Sequence, residues 1–177
     1  MNFSCNSNKR LYKLFHRFLD IVISLTGLLL FLILLPFIFI LNVFMNKGPL
    51  FYNQTRVGKN GENFTIFKLR SMVVNAESSG AVYAQKNDTR ITKFGKFLRK
   101  TRLDEVPQFF NILKGDMSII GPRPERPKFV KDLEEKVPFY AIRHVVKPGL
   151  TGWAQVKFPY AGTLEEQEKK LRYDLFY

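Results

Sequence analysis

The chain has 177 residues, which is enough for one domain with a modest core. Hydrophobic residues make up 46% and charged residues 24%, which excludes a disordered or collagen-like chain. Lysine and arginine number 28 against 15 acidic residues, so we expect a polyanionic partner: nucleic acid, anionic lipid or a phosphorylated substrate. The single cysteine excludes an intrachain disulfide and a cysteine-rich zinc module.

An uncharged apolar run lies near the N-terminus, from Ile21 to Val43. As a helix it is long enough to cross the hydrocarbon core of a bilayer. Pro36 lies inside the run, and Lys9, Arg10, Lys13, Arg17 precede it while Lys47, Arg56 and Lys59 follow it. Because positive charge favours the cytoplasmic side, both ends are expected there. Length alone favours a transmembrane span, whereas a helix that enters, bends at Pro36 and returns to the same face would satisfy both charged flanks, so both courses stay open at this point.

A β-hairpin is predicted next, from two segments rich in Phe, Thr, Ile and Val, Leu50–Val57 and Asn63–Arg70. The residues between them include Asn60-Gly61, a strong turn signal. The small polar segment 75–87 is predicted to be a loop.

An amphipathic helix is predicted from Thr89 to Arg102, because Ile91, Phe94 and Leu98 recur at helical spacing. Asp88 or Thr89 is the expected cap. The opposite face is basic, which fits either a solvated surface or a helix lying on an anionic membrane.

Four further elements follow along the chain, each marked by its proline, glycine or capping residues. They are a short helix 107–113, a stiff basic loop 121–127, a helix Phe129–Val137, and a last helix opened by the capping box Thr163-x-x-Glu166. A further loop, around Trp153, is predicted before the last helix.

The acidic pair Asp104-Glu105 is the most informative candidate for chemistry. It lies just before the helix opened by Pro107, where the positive end of the helix dipole keeps carboxylates ionised. Such a carboxylate can act as a nucleophile or hold a divalent cation. Acidic residues are also favoured at helix starts for purely structural reasons, so spacing alone leaves both interpretations open.

Basic side chains from several segments are predicted to bind substrate phosphate. Arginine beside proline in a stiff loop is preorganised for bidentate phosphate contacts. An acidic nucleophile, a metal, several arginines and a membrane anchor together suit phosphoryl transfer on a lipid phosphate. The candidate substrate-binding residues are Lys68, Arg70, Arg99, Arg102, Arg123 and Arg126.

Four motifs together resemble the bacterial sugar transferase family, the monotopic phosphoglycosyl transferases, and in particular its exopolysaccharide branch. The resemblance runs from about residue 10 to the end of the chain. The motifs are Phe67-Lys68-Leu69-Arg70-Ser71-Met72, the segment Phe94 to Gln108, the segment Lys114 to Pro124, and the segment Lys147 to Val156.

The resemblance implies a reaction and its participants. Asp104 would attack the β-phosphate of a UDP-sugar with Glu105 as its dyad partner and Mg²⁺ held by both carboxylates. UMP would leave, and undecaprenyl phosphate would take the sugar phosphate from the aspartate, initiating exopolysaccharide or other glycoconjugate synthesis. The implied location is the bacterial inner membrane, with the catalytic domain on the cytoplasmic face and in contact with anionic lipid.

The resemblance also sets the expected architecture. We expect an α+β monotopic membrane protein with a re-entrant helix in residues 1–46, and a catalytic domain in residues 47–177 made of a β-hairpin and amphipathic interfacial helices. Family members usually break the membrane helix at a Ser-Pro pair, and here the pair is Leu35-Pro36. They also usually continue beyond the segment that matches 173–177, so we expect a chain short of its C-terminal segment.

Two other functional classes compete with this interpretation. One is a catalytically inactive membrane-tethered module that binds anionic lipid or an assembly partner. The other is a membrane-anchored nucleic-acid binder, which rests on charge alone because no nucleic-acid-binding motif is present. We therefore expect no nucleic-acid partner, and homo-oligomer formation is left open.

Overall fold

The computed structural model describes residues 4–78, 80, 82, 88–158 and 163–177, with side chains from residue 10 onward. The fold mixes helices and strands, as predicted. The helices are α1 (Ser4–Met45), α2 (Lys93–Lys100), α3 (Gln108–Lys114), α4 (Pro127–Lys136), α5 (Trp153–Lys157) and α6 (Leu164–Asp174). The strands are β1 (Phe51–Val57), β2 (Asn63–Leu69), β3 (Ser118–Ile120) and β4 (Gly149–Thr151).

Helix α1 is the one helix of the described chain that is long and apolar enough to cross a membrane. It runs for 42 residues and remains helical through Pro36. The helix is therefore not interrupted at Pro36, and the re-entrant course stays a prediction.

One face of α1 is buried along the whole apolar run, while the rest of the helix exposes large apolar side chains. The buried positions recur every three or four residues, or at multiples of that spacing, as one helical face requires. They include Asp20, Ser24, Phe31, Ile38 and Asn42. The domain thus packs along the side of α1.

Polar contacts fix the first part of α1 to the domain. The guanidinium of Arg17 donates to the carbonyl oxygens of Ile112 and Leu113 at 2.6 and 2.7 Å. These carbonyls lie at the C-terminal end of α3, where a cation is favoured by the helix dipole. Asp20 Oδ1 accepts a hydrogen bond from the Ile119 amide at 2.9 Å.

A second set of contacts fixes the far end of α1. Asn46 Nδ2 donates to the carbonyl of Arg70 at 2.8 Å, and the Arg70 guanidinium donates back to the carbonyl of Asn46. Asn42 Nδ2 donates to the carbonyl of Gly48 at 3.1 Å. Since Arg17 and Asn46 are about 43 Å apart along a straight helix, the domain covers the full length of the apolar run.

The predicted hairpin is confirmed. Strands β1 and β2 pair antiparallel from Phe51 opposite Leu69 to Val57 opposite Asn63. In the connection, Asn60 and Gly61 have φ angles of 57° and 79°. Asn and Gly are the residues that enter this left-handed region most readily, which explains the turn signal in the sequence.

The helix predicted from Thr89 to Arg102 begins later than expected. Helix α2 starts at Lys93, where Thr92 Oγ accepts a hydrogen bond from the Gly95 amide at 2.9 Å. Thr92 is therefore the cap, and the predictions of Asp88 or Thr89 for that role were wrong.

Tertiary pairing explains the later start. Ile91 forms an isolated β-bridge with Met72, which takes it out of the helix. Asp88 Oδ1 instead accepts from Arg90 Nε at 2.8 Å. Of the predicted loop 75–87, the structure describes turns at 75–78, whereas residues 79, 81 and 83–87 lie outside the described part.

The segment predicted as a loop around Trp153 contains regular structure. Strand β4 pairs in parallel with β3, with Gly149 opposite Ser118, and α5 begins at Trp153. The backbones approach so closely that a Cβ on Gly149 would lie 2.1 Å from the amide nitrogen of Gly121. Glycine is therefore required at this crossing.

The other predicted helices are present. Helix α3 ends at Lys114 before Gly115, whose φ is 99°. Helix α4 begins at Pro127, which sequence analysis assigned to the preceding loop. The capping box of Thr163 and Glu166 opens α6, as predicted.

Candidate active site

The two carboxylates of the Asp104-Glu105 pair lie in a single 3₁₀ turn, Leu103–Glu105, between α2 and α3. Arg102 precedes the turn with a φ of 60°, which reverses the chain after α2. This conformation is unfavourable for a residue with a Cβ, so surrounding contacts must hold it. Both carboxylates are buried. We call this segment the dyad turn.

Glu105 is surrounded by cations. Its Oε1 lies 2.5 Å from an Arg123 guanidinium nitrogen and 3.8 Å from Lys68 Nζ, and its Oε2 lies 4.0 Å from Arg102. Burial by itself would raise the pKa of Glu105, but Arg123 and then Lys68 outweigh it and lower this pKa to about 2. Glu105 is therefore an ionised counter-ion at any physiological pH.

Lys68 responds in the opposite direction. Its burial, together with the nearby charge of Arg123, lowers the pKa of Lys68 to about 7 even though Glu105 opposes the change. Lys68 thus belongs to a cluster that contains more than one cation. A phosphate bound beside it would raise the pKa of Lys68 again and favour its charged form.

Asp104 differs from its neighbour. Among the described residues, its carboxylate accepts no hydrogen bond and forms no direct ion pair. Burial and the charge of Glu105 raise the pKa of Asp104, although Lys68 and Arg99 act against that shift. One carboxylate of the pair is thus fully engaged and the other is open to a ligand.

Asp104 borders a cavity of about 230 Å³ that we call the Asp104 cavity. Its lining is strongly cationic and includes Lys68, Arg99 and Arg126. Arg99 is oriented by a hydrogen bond from its Nε to Ser71 Oγ at 2.8 Å. Such an arrangement attracts and orients a polyanion beside the free carboxylate.

Arg126 and Arg70, two further predicted substrate ligands, have protein partners. Arg126 makes a two-pronged contact with Glu77, at 3.0 and 2.9 Å. The guanidinium of Arg70 binds the Asn46 carbonyl at the end of α1 rather than a group of the dyad turn. Arg70 therefore links the domain to α1, and its predicted role in substrate binding stays a prediction.

Glu105 borders a second cavity of about 520 Å³, the Glu105 cavity. Its lining is mainly apolar and includes Val106, Phe109 and Leu150, with Arg102 at the same opening. The side chain of Arg102 is 77% exposed, unlike the buried cations around Lys68. The six predicted basic residues therefore do not form one cluster.

Sequence analysis missed Asn111, which connects α3 to the hairpin. Asn111 is fully buried. Its Nδ2 donates to the Thr65 carbonyl at 2.7 Å, and its Oδ1 accepts from the Phe67 amide at 3.1 Å. The side chain thus pairs with β2 as another strand would, and it fixes Lys68 relative to the dyad turn. An asparagine inside an apolar helix was the available signal.

A buried ion cluster that joins α6 to the loop of Arg123 was also missed. Glu125 Oε1 lies 2.7 Å from Lys170 Nζ, and Glu125 Oε2 lies 3.7 Å from Arg56. Burial alone would raise the pKa of Glu125, but Lys170 and the nearby Arg143 outweigh it and lower this pKa to about 2.

A second ion pair in the same region acts on Arg123 directly. Arg143 donates to Asp174 Oδ2 at 2.7 Å, and both side chains are almost fully buried. The same guanidinium nitrogen donates to the Arg123 carbonyl at 2.8 Å. The end of α6 thus supports the backbone of the arginine that holds Glu105.

The family model of the bacterial sugar transferases matches residues 11–177, a range that contains most of α1, the hairpin and the dyad turn. The chain belongs to the bacterial sugar transferase family. The Asp104-Glu105 pair, the Arg123 loop and the buried α6 contacts all lie within the matched range.

Named relatives of this bacterial sugar transferase differ in the sugar that their names specify. A UDP-N-acetylgalactosamine-undecaprenyl-phosphate N-acetylgalactosaminephosphotransferase of Aeromonas hydrophila is 44% identical over 167 residues. A UDP-glucose:undecaprenyl-phosphate glucose-1-phosphate transferase of Klebsiella pneumoniae is 43% identical over 166 residues. These matches cover 94% and 92% of the chain but only 40% and 36% of the two relatives.

A third relative matches over most of its own length. It is a Bacillus subtilis (strain 168) protein, provisionally named as an undecaprenyl-phosphate N-acetylgalactosaminyl 1-phosphate transferase. It is 46% identical over 142 residues, which is 80% of this chain and 79% of the relative. The match therefore covers about four fifths of each of the two proteins.

Proposed function

We propose that this protein transfers a sugar 1-phosphate from a UDP-sugar to undecaprenyl phosphate through an aspartyl–phosphosugar intermediate on Asp104. The proposal rests on the difference between the surroundings of the two carboxylates in the dyad turn. Glu105 is neutralised by Arg123 and Lys68, whereas the buried Asp104 carboxylate is unpaired within the described chain and borders a cationic cavity. The names of the relatives, which include undecaprenyl phosphate, support the lipid acceptor.

In the first step, a carboxylate oxygen of Asp104 attacks the β-phosphorus of the UDP-sugar. A new oxygen–phosphorus bond forms, and the bond from that phosphorus to the oxygen bridging to UMP breaks, so UMP leaves with the electron pair. Lys68 and Arg123 lie beside the reacting carboxylate and stabilise the negative charge of the phosphoryl group. Glu105 holds these two cations in place.

In the second step, a phosphate oxygen of undecaprenyl phosphate attacks the same phosphorus. The bond between phosphorus and Asp104 breaks, which returns the carboxylate and yields undecaprenyl-diphosphate-sugar. The cations around Glu105 serve both steps, because negative charge develops at the same phosphorus each time.

Mg²⁺ is the proposed metal. Magnesium sites in phosphoryl transfer use one or two carboxylates and take further ligands from substrate phosphate and water. Asp104 has oxygens available for this purpose, whereas both oxygens of Glu105 face cations. No group of three or more acidic, histidine or cysteine side chains converges in the described chain, so the site fits a metal that arrives with the nucleotide. Such an ion would neutralise diphosphate charge.

We also propose that α1 is re-entrant and keeps residues 1–46 and the catalytic domain, 47–177, on the cytoplasmic face of the inner membrane. Arg17 at one end of the apolar run and Asn46 at the other both bind the same domain. A straight perpendicular span would carry that polar domain through the bilayer, at a high cost in free energy. The exposed lysines of α2 would then meet anionic headgroups.

The test is nucleotide release and covalent labelling with a panel that includes UDP-N-acetylgalactosamine and UDP-glucose. Wild-type protein with Mg²⁺ should release UMP and gain the mass of one sugar phosphate before any lipid is added. Asp104→Asn should lose both, with the rate falling roughly 1000-fold or more. The exposed Asp132→Asn on α4 is the matched control.

Two outcomes would contradict the proposal. One is a sugar phosphate bound to Asp104→Asn, which would place the nucleophile elsewhere. The other is a wild-type chain that binds membranes but releases no UMP with any donor, even when it is extended to the length of longer relatives. That result would favour the inactive membrane-tethered module instead.

A further inference from the structure

Two separate cavities reach the dyad turn, and each contains one of its carboxylates. The Asp104 cavity has about 230 Å³ and the Glu105 cavity about 520 Å³. Two successive substrates of one phosphorus occupy the same position opposite Asp104 in turn, but they can reach it by different routes. The arrangement therefore raises the question of which substrate enters through which cavity.

The two cavities differ in the chemistry of their walls. Lys68, Arg99 and Arg126 line the Asp104 cavity, where a diphosphate with its nucleoside would find several charge partners. The Glu105 cavity has one arginine, Arg102, beside the Glu105 carboxylate that Arg123 and Lys68 neutralise, and its other wall residues are apolar or carry hydroxyl and amide groups. One cation beside an apolar wall fits a monophosphate joined to a hydrocarbon chain.

One wall of the Glu105 cavity packs against the membrane helix. Its wall residue Phe109 packs onto the backbone of Gly27, where a Cβ would lie 2.3 Å from the phenylalanine ring. Gly27 lies within the uncharged run of α1. Val156, another wall residue of this cavity, is 67% exposed. A hydrocarbon chain that lies along α1 would therefore meet apolar side chains at this edge of the cavity.

We propose that the Glu105 cavity is the acceptor site, which binds the phosphate of the polyprenyl phosphate near Arg102 and its first isoprene units along Val106, Leu150 and Val156. The UDP-sugar then enters through the Asp104 cavity. This assignment rests on the proposed function. After UMP leaves, the acceptor phosphate enters from the Glu105 cavity and takes the position opposite Asp104 that UMP has vacated, so that the attacking and leaving oxygens are in line.

A pair of matched variants tests the assignment. Val156→Trp adds bulk inside the Glu105 cavity, whereas Val145→Trp adds the same bulk at a position that is 64% exposed and does not line either cavity. We expect Val156→Trp to raise the KM for undecaprenyl phosphate about ten-fold more than it changes the rate of UMP release measured without acceptor. For Val145→Trp, the ratio of this KM to the rate of UMP release should be the same as in the wild type.

A charge variant gives an independent measurement. Arg102→Asn removes the cation and suits the positive φ at this position, because asparagine enters that region more readily than most residues. It should raise the KM for undecaprenyl phosphate about ten-fold, and Arg102→Lys should recover part of the loss. An equal effect of Arg102→Asn on the KM for the UDP-sugar would overturn the assignment.

Photo-crosslinking separates this proposal from the proposed function. Benzoylphenylalanine at position 156 should crosslink radiolabelled undecaprenyl phosphate in nanodiscs, and the same group at position 145 should not. Equal crosslinking at both positions, or a Val156→Trp variant with wild-type kinetics, would overturn the acceptor site while UMP release still supports the reaction. Crosslinking at 156 without any UMP release would instead leave a lipid site on a protein of other function.

Discussion

The buried pair of Arg143 and Asp174 provides the sharpest prediction about how the end of the chain supports the candidate site. The two side chains are 1% and 2% exposed, and their charged atoms are 2.7 Å apart. Asp174→Asn removes the negative charge and leaves the arginine charge buried. Removing one partner of such a pair costs about 3–5 kcal/mol. For a domain of this size, the melting temperature should fall by roughly 10 °C.

The same substitution should affect chemistry through Arg123. Arg143 also donates to the Arg123 carbonyl, and Arg123 in turn holds Glu105. We expect Asp174→Asn to raise the KM for the UDP-sugar more than it lowers kcat, because a displaced Arg123 weakens binding of the diphosphate. Thermal melts in detergent and initial rates of UMP release measure the two effects separately.

A double variant distinguishes stability from positioning. Replacing both partners, as in Arg143→Met with Asp174→Leu, removes both buried charges and should recover most of the melting temperature. It should not recover the KM, since no side chain then binds the Arg123 carbonyl. The exposed Glu168→Gln on α6 is the control for loss of one acidic charge. A melting temperature for Asp174→Asn equal to that of Glu168→Gln would refute the reasoning.

Two further predictions concern stability and topology. Glu125→Gln should lower stability by roughly 3 kcal/mol near neutral pH, because the pKa of Glu125 is about 2 against an ordinary value of 4.5. This contribution is present above pH 4.5 and is lost as the pH falls toward 2. The difference in melting temperature between the wild type and Glu125→Gln should therefore shrink only in that range, and a difference that stays constant with pH would contradict the prediction. If α1 is re-entrant, Cys5 and a cysteine at Lys59 should both be protected from an impermeant maleimide in intact cells, and labelling of Cys5 alone from outside would indicate a transmembrane span.

Local signals in the sequence account for the elements that were predicted correctly. Asn60-Gly61 specifies the hairpin turn because both residues tolerate positive φ angles. The capping box of Thr163 and Glu166 satisfies its own backbone groups and so fixes the start of α6 within a few residues. Such features need no information from distant parts of the chain.

Long-range pairing accounts for the elements that were misplaced. Ile91 fits a helical pattern, but its bridge to Met72 places it outside α2. The parallel pairing of β3 with β4 joins two segments of only three residues each, which carry too little pattern to be recognised. In both cases tertiary contacts override the local preference.

The candidate site shows the same division. The position of Asp104 and Glu105 beside a helix start was visible in the sequence, and the family motifs marked the pair as reactive. The unequal environment of the two carboxylates was not visible, because it is created by Lys68 on β2 and Arg123 in a later loop. Nor could sequence spacing show that the Arg70 guanidinium binds the end of α1.

The supports of the dyad turn come from both ends of the chain. At one end, Arg17 of α1 binds the last carbonyls of α3, the helix that directly follows the turn. At the other end, Asp174 of α6 holds Arg143, which binds the backbone of Arg123. Because Asp104 forms no hydrogen bond or ion pair among the described residues, the backbone of the turn and the packing around the side chain determine where its carboxylate lies. The position of the proposed nucleophile therefore depends on the membrane helix and on the last helix together, although neither contributes a side chain to the dyad.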